Sequence, residues 1–376
     1  MRHKRIVVVS DTPLYKDKDS FFGFGPVVRE LEFIDDLFEE IIWIGFNRED
    51  KKGDLSMLQI QSPRIKVVLL NRVGGKGIAS ILKIVVNYPI MFFTILKYVV
   101  NSKIIHTRAP SHPAMIGVVL SFFFRSKIWW HKYAGNWAQE NPPFSYGAQR
   151  WLFKKAKHTN VTVNGFWPDQ ESHCHSFENP CLTVEDIEIG KAVAEKKDFA
   201  GDFVFTFAGR LEDEKGVARI IEALGTVTLE RIRKVHFIGD GPKRALYEQQ
   251  ASFLKDKVSF HGFLSKDAVH AVLAESHFFL LPSTASEGFP KVIAEAACYG
   301  AIPLVSDVGS ISHYVNDQNG YVWFKKGKVS YSEVLEKALS SPVKELQEKS
   351  LNVLDLGKKF TFMDYVEKLN TFILNN

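Results

Sequence analysis

Cysteine is scarce in this sequence of 376 residues, which contains only Cys174, Cys181 and Cys298. An odd number of cysteines without zinc-like spacing argues against a disulfide framework and is typical of a reducing cytosol. A secretory signal is not expected either, because the charged segment Met1–Arg5 runs straight into a short strand-like segment, Ile6–Val9.

Long apolar runs are also missing. The most hydrophobic stretch, from Ile84 to Val100, is interrupted by Asn87, Pro89 and Lys97. Because a transmembrane helix needs about 20 predominantly apolar residues, the sequence predicts no membrane-spanning segment.

Acidic residues are absent from one long part of the chain. From Leu55 to Gln139 there are 11 lysines and arginines and no aspartate or glutamate, whereas the remainder carries 37 basic and 43 acidic side chains. Such an imbalance predicts an anionic partner, which can be a nucleic acid, a phosphate or an acidic membrane surface. The many Phe, Ile and Val residues of this part favour the membrane and argue against nucleic acid.

Polar residues in the segment 76–101 recur at helical spacing. They predict an amphipathic helix with one narrow polar stripe, formed by Lys76, Lys83, Asn87, Thr94, Lys97 and Asn101. Pro89 is expected to kink or divide this helix. Apolar side chains cover most of the remaining surface, which suits partial insertion into an anionic leaflet. The alternative is a helix packed between a sheet and a neighbouring element.

The composition is that of a globular protein, with 45% apolar and 24% charged residues, and the length suits two domains. Short β-branched segments alternate with longer amphipathic ones throughout, which predicts an α/β protein with parallel sheets covered by helices on both faces. The predicted strands are 6–10, 41–45, 65–70, 103–106, 128–132 and 159–163 in the first half, and 203–208, 234–239, 258–261, 277–281, 302–306 and 321–324 in the second.

Twelve strands indicate two Rossmann-like domains of six strands each. We predict an N-terminal domain at 1–185 and a C-terminal domain at 186–357. A last helix within 358–376, which no strand follows, is expected to cross back to the N-terminal domain. The charged, weakly periodic segment 184–202 is typical of a linker or a surface helix, so the boundary is expected between Pro180 and Asp202.

The loop after the predicted strand 203–208 brings together two cations, Arg210 and Lys215, and a helix that begins near Gly216. Gly209 allows the backbone to turn tightly, and the helix N-terminus points its free N–H groups into the same space. Two cations and a helix N-terminus form a site for a pyrophosphate. The alternative is a solvated loop whose cations pair with Glu212, Asp213 and Glu214.

Two glutamates follow the predicted strand 277–281, at the carboxyl end where α/β sheets bind ligands. Glu287 lies in the loop, and Glu295 lies about two turns into the next helix among apolar neighbours. A carboxylate in such surroundings needs a partner, and a pair of sugar hydroxyls is suitable because a carboxylate accepts two hydrogen bonds at once. The alternative is that both glutamates lie on a solvated surface.

Four motifs occur in a fixed order: G-R-L-x(3)-K-G from Gly209, G-D-G-P from Gly239, H-G-F from His261, and E-G-F-P from Glu287 with a second glutamate at Glu295. This order resembles the nucleotide-sugar half of GT-B glycosyltransferases of family 4, over residues 203–323. The two glutamates match the E-x(7)-E motif of that family. The resemblance implies a GT-B fold, in which two Rossmann-like domains face each other across a cleft.

The resemblance also implies a role for each matching residue. Arg210 and Lys215 bind the donor diphosphate, Glu295 binds the ribose hydroxyls, and Glu287 orients the transferred sugar together with backbone amides after Gly288. The other implied donor contacts are Phe289, Lys291, Val292, Gly209, Gly239, Gly241 and Phe263. The family works without a bound divalent cation, so neither a metal nor a cofactor is expected besides the nucleotide sugar, which is a substrate.

The first half resembles the family less. Gly23 is the nearest match to the glycine loop beside the donor phosphate, and His131 to the residue that touches the donor sugar, with a structural histidine as the alternative. Arg108 is a candidate ligand for an acceptor phosphate, or else a loop arginine in water. His173-Cys174-His175 is not expected to bind a metal, because adjacent side chains diverge and no third ligand cluster lies nearby.

The activity implied is transfer of a sugar from a nucleoside diphosphate sugar to an acceptor hydroxyl, with retention of configuration, by a metal-independent hexosyltransferase. The acceptor, a sugar or a lipid-linked molecule, is expected on the N-terminal domain. We expect a cytoplasmic enzyme, peripheral on the inner face of the membrane, that builds a surface polysaccharide or glycolipid. The alternatives are a GT-B nucleotide-sugar epimerase and a non-catalytic sugar-nucleotide binding protein.

Overall fold

The computed structural model describes residues 2–72, 78–168 and 170–375, and their side chains except for those of residues 78–85. The chain forms two compact units. The first comprises Met1–Phe177 and Val366–Asn376, and the second comprises Glu178–Tyr365. The chain therefore passes into the second unit after Phe177 and returns to the first after Tyr365.

The segment expected to hold the boundary belongs to the second unit. Helix α5 (Val184–Ala194) occupies most of it and is closed at its start by a capping box, in which Thr183 and Asp186 satisfy each other's backbone N–H groups. A Cβ atom at Gly190 would overlap the carbonyl group of Cys298, so this helix is closely packed. The segment is therefore the surface helix that the sequence offered as the alternative to a linker, and the two compact units divide after Phe177 rather than at 185.

The sheet of the first unit has seven parallel strands and a short antiparallel extension. Its strands within the described residues are β1 (His3–Asp17), β2 (Ser20–Phe24), β3 (Phe38–Asn47), β4 (Met57–Gln59), β5 (Ile65–Leu70), β6 (Ile104–Ala109), β7 (Ile128–Tyr133), β8 (Asn160–Asn164) and β9 (Cys174–Phe177). The parallel order is β5-β3-β1-β6-β7-β8-β9, and β2 and β4 pair antiparallel beyond the end of β1. All six strands expected here are present, whereas β2, β4 and β9 were not expected.

Four helices accompany this sheet: α1 (Gly25–Phe33), α2 (Ile78–Val100), α3 (His112–Phe123) and α4 (Phe144–Lys155). Helix α2 continues through Pro89, and its Met91, Ile95 and Val99 are buried in the core. The connections β5–α2–β6, β6–α3–β7 and β7–α4–β8 all advance in one direction along the sheet. Right-handed crossovers therefore place these three helices on one face, and α3 packs against both α2 and α4.

The second unit is a six-stranded parallel sheet with helices on both faces. Its strands are β10 (Phe203–Ala208), β11 (Ile232–Ile238), β12 (Val258–Gly262), β13 (Phe278–Leu281), β14 (Ile302–Ser306) and β15 (Tyr321–Trp323). The order β12-β11-β10-β13-β14-β15 is that of a Rossmann sheet. Every residue of β10, β13 and β14 is buried, as expected for central strands covered on both faces.

The remaining helices are α5, already described, α6 (Val217–Thr226), α7 (Arg244–Gln250), α8 (Lys266–Glu275), α9 (Lys291–Cys298), α10 (Tyr331–Ser340), α11 (Val343–Asn352), α12 (Leu354–Lys358) and α13 (Phe362–Leu369). A short π-helical turn, Asn370–Leu374, follows α13 in the part of the chain that returns to the first unit. No helix in the described parts of the chain is both long enough and apolar enough to cross a membrane.

Candidate active site

The switch point of the second sheet lies between β10 and β13. From these two neighbouring strands the chain leaves in opposite directions, to β11 and to β14. A crevice forms at the carboxyl ends of strands at such a point and is where open α/β sheets bind ligands. The two loops singled out from the sequence, 209–216 and 282–290, follow β10 and β13 and therefore meet at this crevice.

Glycines at and just after the ends of β10, β11 and β12 allow these strand ends to approach closely. The N–H of Gly209 donates to the carbonyl of Ile238 at 2.9 Å, and the N–H of Gly239 donates to the carbonyl of Gly262 at 2.8 Å. A Cβ atom at Gly239 would overlap the carbonyl of Gly209, and one at Gly241 would overlap the backbone of Leu211. Glycine is therefore required at both positions, and the backbone of this part of the site is rigidly set.

Lys215 and Glu287 form the central ion pair of the site. The Lys215 ammonium donates to Oε1 of Glu287, with the lysine side chain 16% and the glutamate side chain 33% exposed. The second oxygen, Oε2 of Glu287, is buried, and no hydrogen-bond donor among the described residues reaches it. A buried acceptor atom without a donor is costly unless a ligand supplies one, so Glu287 is poised to accept from a bound molecule.

Arg210 is the exposed cation of the site. Its side chain is 69% exposed, and Nη2 lies 3.3 Å from Oε2 of Glu212. The pairing with Glu212 is the one expected of a solvated loop, whereas Lys215 pairs across the crevice with Glu287 instead of with an acid of its own loop. Asp213 is held by Lys243 and by the hydroxyl of Tyr247, and the hydrogen bond from Lys243 lowers the pKa of Asp213.

Arg219, in the first turn of α6, joins the two loops. Its Nε donates to the carbonyl of Pro282 at 3.0 Å and its Nη2 to Oγ1 of Thr284 at 3.2 Å. The N–H of Thr284 also donates to the carbonyl of Glu214, at 2.6 Å. Our sequence interpretation missed Arg219. The available signal was a cation in the first turn of a helix, where the helix dipole disfavours positive charge unless a specific partner is present.

The loop that carries Glu287 is anchored to the core behind it. The carbonyl of Gly288 accepts from both the N–H of Ser310, at 3.0 Å, and its hydroxyl, at 3.2 Å. The side chain of Phe289 is buried and stacks on Phe360 with the ring centroids 4.6 Å apart. Only the backbone of Phe289 is therefore available to a ligand, and Glu287 is carried on a firmly held support.

The residues predicted to contact the donor on α9 and just after β12 differ in their exposure. Glu295 and Val292 are partly buried on α9. Lys291 donates from Nζ to the carbonyl of Pro180 at 2.9 Å, which uses one of the three donors of its ammonium group. Phe263, just beyond the carboxyl end of β12, is 61% exposed and offers an open aromatic face.

His131 lies in the core of the first unit. Strand β7 continues beyond it to Tyr133, so the imidazole lies within the core at 0% exposure. Its Nδ1 lies 2.7 Å from the hydroxyl of Thr107, and Trp129 stacks on the ring. Burial lowers the pKa of His131 to about 3. The sequence located the strand correctly, and the surroundings of His131 favour the alternative of a structural histidine.

Gly23 is not a phosphate-binding glycine in this structure. It lies in β2, where a Cβ atom would be 2.8 Å from the ring of Trp43 and 2.9 Å from Leu14. Its lack of a side chain makes room for core side chains.

Arg108 and Lys132 hold a buried carboxylate. Arg108 donates through Nη1 to Oε1 of Glu30 at 2.8 Å and through Nη2 to Oε2 at 3.2 Å, and Lys132 donates to Oε1 at 2.7 Å. Glu30 is 1% and Lys132 3% exposed. Arg108 is therefore not a loop arginine in water. Its guanidinium group binds the carboxylate of Glu30 in this structure, and not an acceptor phosphate.

The His173 region has structural contacts. Nε2 of His173 lies 2.9 Å from the carbonyl of Phe153, and His175 stacks on Phe372. Within the described ranges, no three His, Cys, Asp or Glu side chains are grouped as a metal site requires.

Comparison with known proteins locates the strongest similarity in the second unit. Residues 190–352 match the family described as glycosyl transferases group 1. The putative teichuronic acid biosynthesis glycosyltransferase TuaC of Bacillus subtilis is 33% identical over 106 residues, which are 28% of this chain and 25% of TuaC. Alpha-D-kanosaminyltransferase of Streptomyces kanamyceticus is 29% identical over 151 residues, 39% of this chain and 38% of that enzyme. The chain thus spans well under half the length of these curated relatives.

Solved structures match nearly the whole chain. HepE of Anabaena, in complex with UDP, has a TM-score of 0.67 at 14% identity, over 98% of this chain and 99% of HepE. Sucrose-phosphate synthase of Thermosynechococcus elongatus has a TM-score of 0.66 at 14% identity, over 98% of both chains. Identities this low show the fold alone. The chain is therefore a protein of the GT-B fold, and at residues 190–352 it carries a domain of the glycosyl transferases group 1 family.

Proposed function

We propose that this protein is a retaining glycosyltransferase that moves a sugar from a nucleoside diphosphate sugar to an acceptor hydroxyl. The observation that carries the proposal is the pairing of Lys215 with Glu287 at the switch point, with Oε2 of Glu287 buried and open to a donor. The match to a glycosyltransferase family and the similarity to HepE, which has been solved with UDP and with UDP-glucose, support it.

The diphosphate of the donor is bound by Arg210, Lys215 and the N-terminus of α6. An ammonium group has three donors, so Lys215 can keep Glu287 and still bind a phosphate oxygen. As the bond to the sugar breaks, negative charge grows on the leaving diphosphate, and these fixed positive groups stabilise it in the transition state. They take the place of a divalent cation, and the leaving phosphate itself accepts the proton of the acceptor hydroxyl.

The remaining contacts hold the nucleoside and the sugar. Oε2 of Glu287 accepts a hydrogen bond from a hydroxyl of the transferred sugar, and Glu295 accepts from the ribose. Gly239 and Gly241 let the nucleotide approach the backbone closely, and the exposed ring of Phe263 lies at the end of β12 beside them. Hexose is the sugar class we propose.

The acceptor is a sugar or a lipid-linked molecule bound by the first unit, and the product is a surface polysaccharide or a glycolipid. The relative TuaC is described as a teichuronic acid biosynthesis glycosyltransferase, which supports a polysaccharide product. The absence of acidic residues from 55 to 139 supports a cytoplasmic protein held peripherally on an anionic membrane face.

A thermal-shift screen of UDP, GDP, ADP and their common hexose derivatives tests the donor. A nucleotide that binds the folded protein raises its unfolding midpoint by mass action, and the matching sugar nucleotide is then the donor to assay. Arg210→Met must abolish most of the shift, whereas the control Arg231→Met, at a structural arginine bound to the carbonyl of Leu339, must not. If no nucleotide raises the midpoint, the proposal is wrong.

Product analysis separates transfer from other chemistry. Release of nucleoside diphosphate from the bound donor, with the sugar unchanged in NMR spectra, is the expected result. Binding without release indicates a non-catalytic binding protein, and a changed sugar still attached to the nucleotide indicates an epimerase.

A further inference from the structure

Helices α2, α3 and α4 expose apolar and basic side chains on the side that faces away from the sheet. Among the described side chains of α2, the exposed residues apart from Pro89 are Val86, Ile90, Phe93, Lys97 and Val100, at spacings of 4, 3, 4 and 3. At 100° per residue they fall within about 80° of one another. Met91, Ile95 and Val99 occupy the opposite side of α2, which is buried. Helix α2 is therefore not packed between a sheet and a neighbouring element, which was the alternative predicted from the sequence.

The other two helices repeat this pattern. Helix α3 exposes Val119 and Phe123, the latter at 78%. Helix α4 exposes Phe144, Trp151 and Lys155, at spacings of 7 and 4, with Phe144 at 92% and Trp151 at 60%. Because α3 packs against both α2 and α4, the three exposed stripes lie side by side on one face of the first unit.

The charge of this face is predominantly basic, although Nζ of Lys154 lies 3.8 Å from Oε1 of Glu171. From residue 55 to 168 the chain has 15 lysines and arginines and a single acidic residue, Glu140. Lys97, Arg125, Lys154 and Lys155 are exposed on or beside the three helices. Two copies of such a face would bring like charges together, which disfavours self-association through it. Aromatic and aliphatic side chains mixed with cations are typical of surfaces that lie in the headgroup region of an anionic bilayer.

We infer that the stripes of α2, α3 and α4 together form a membrane-contact face, whose partner is an anionic lipid bilayer. The inference rests on the proposed function, which places the protein at a membrane, and it extends that proposal from one helix to a surface of three. Helix α4 is the new part: Phe144, Trp151, Lys154 and Lys155 lie outside the segment that the sequence singled out. Of that segment, Lys76 and the side chain of Lys83 lie outside the described residues.

Co-sedimentation with vesicles tests the surface. The full chain is mixed with vesicles of phosphatidylcholine alone or of phosphatidylcholine and phosphatidylglycerol in equal parts. We expect binding to the anionic vesicles, little binding to the neutral ones, and partial release in high salt because ions screen the basic side chains. Trp151→Ser and Phe93→Ser should each lower the partition coefficient, and their combination should lower it by about tenfold or more.

Matched variants on the second unit serve as controls. Phe324→Ser replaces an aromatic residue that is 57% exposed, and it should bind vesicles like the unchanged protein. Lys154→Gln with Lys155→Gln should weaken binding by about fivefold for each lysine, whereas the exposed pair Lys325→Gln with Lys326→Gln should not. All of these side chains are exposed, so the unfolding midpoint should hardly change.

Three results would overturn the inference. Unchanged binding by Trp151→Ser and by the Lys154 and Lys155 variant would exclude α4 from the surface. Absence of binding to anionic vesicles would exclude the membrane. If sedimentation velocity shows a dimer, and Trp151→Ser dissociates it, the face binds a second copy of the chain. Nucleotide-induced thermal shifts, measured on the same samples, decide the proposed function separately, because none of the replaced residues lies in the second unit's site.

Discussion

Replacing Arg210 and Lys215 in turn distinguishes what each cation contributes to turnover from what it contributes to the stability of the fold. Arg210→Met removes a side chain that is 69% exposed and, among the described residues, forms an ion pair with Glu212 alone, so folding should hardly depend on it. Exposed substitutions of this kind change stability by about 0.5 kcal/mol or less, which corresponds to a midpoint shift of about 2 °C at most. The same change removes stabilisation of a growing negative charge, a contribution of about 3 kcal/mol, so turnover should fall by about 100-fold or more.

Lys215→Met should lower turnover by a similar factor and also destabilise the fold. It leaves Glu287, two-thirds buried, without its cation and with one oxygen already lacking a donor. Breaking a fully buried pair costs about 3–5 kcal/mol, and the partial exposure of Glu287 reduces this to about 1–2 kcal/mol. The midpoint of the second unit should therefore fall by about 2–8 °C.

The double variant Lys215→Met with Glu287→Gln completes the comparison. Removing both charges avoids the uncompensated carboxylate, so stability should recover partly while turnover stays low. The assay is release of nucleoside diphosphate from the donor found in the thermal screen, with midpoints measured on the same preparations. Near-normal turnover in Arg210→Met, or equal stability losses in both single variants, would refute the reasoning.

Three further predictions concern single groups. Glu295→Gln should weaken calorimetric binding of the bare nucleoside diphosphate, whereas Glu287→Gln should spare it and damage sugar transfer; equal losses would contradict the assigned roles. Because burial lowers the pKa of His131 to about 3, its imidazole is neutral in the folded protein and takes up a proton on unfolding below about pH 6.5. Stability should thus fall as the pH drops from about 6.5 toward 3, by up to about 1.4 kcal/mol per pH unit, and His131→Gln should make melts between pH 7 and 5 less pH-dependent; an unchanged slope would show that His131 is not responsible. Lys132→Met should destabilise the first unit by about 3 kcal/mol in denaturant titrations, because it leaves a buried glutamate under-compensated; a loss no greater than that of the exposed Lys103→Met would disprove this.

Local periodicity and strand-end chemistry determined much of this protein in advance. Apolar β-branched segments alternating with amphipathic ones predicted twelve of the fifteen strands among the described residues, because a strand buried on both faces must be apolar along its length. The ends of the predicted strands located the loops after β10 and β13, since a parallel sheet gathers its carboxyl ends at one edge. The positions of Arg210, Lys215, Glu287 and Glu295 followed from those loops.

Only the tertiary structure decided which polar groups meet and which side chains are enclosed. The pair of Lys215 with Glu287 joins residues 72 positions apart, and the bridge made by Arg219 depends on the first turn of α6 meeting the loop after β13. His131 is enclosed because Thr107 and Trp129 pack beside it within the sheet. Gly23 is enclosed because it lies in β2, an antiparallel strand that the sequence did not predict. Pairing and burial depend on contacts between distant segments, and a local pattern of residues carries no information about those contacts.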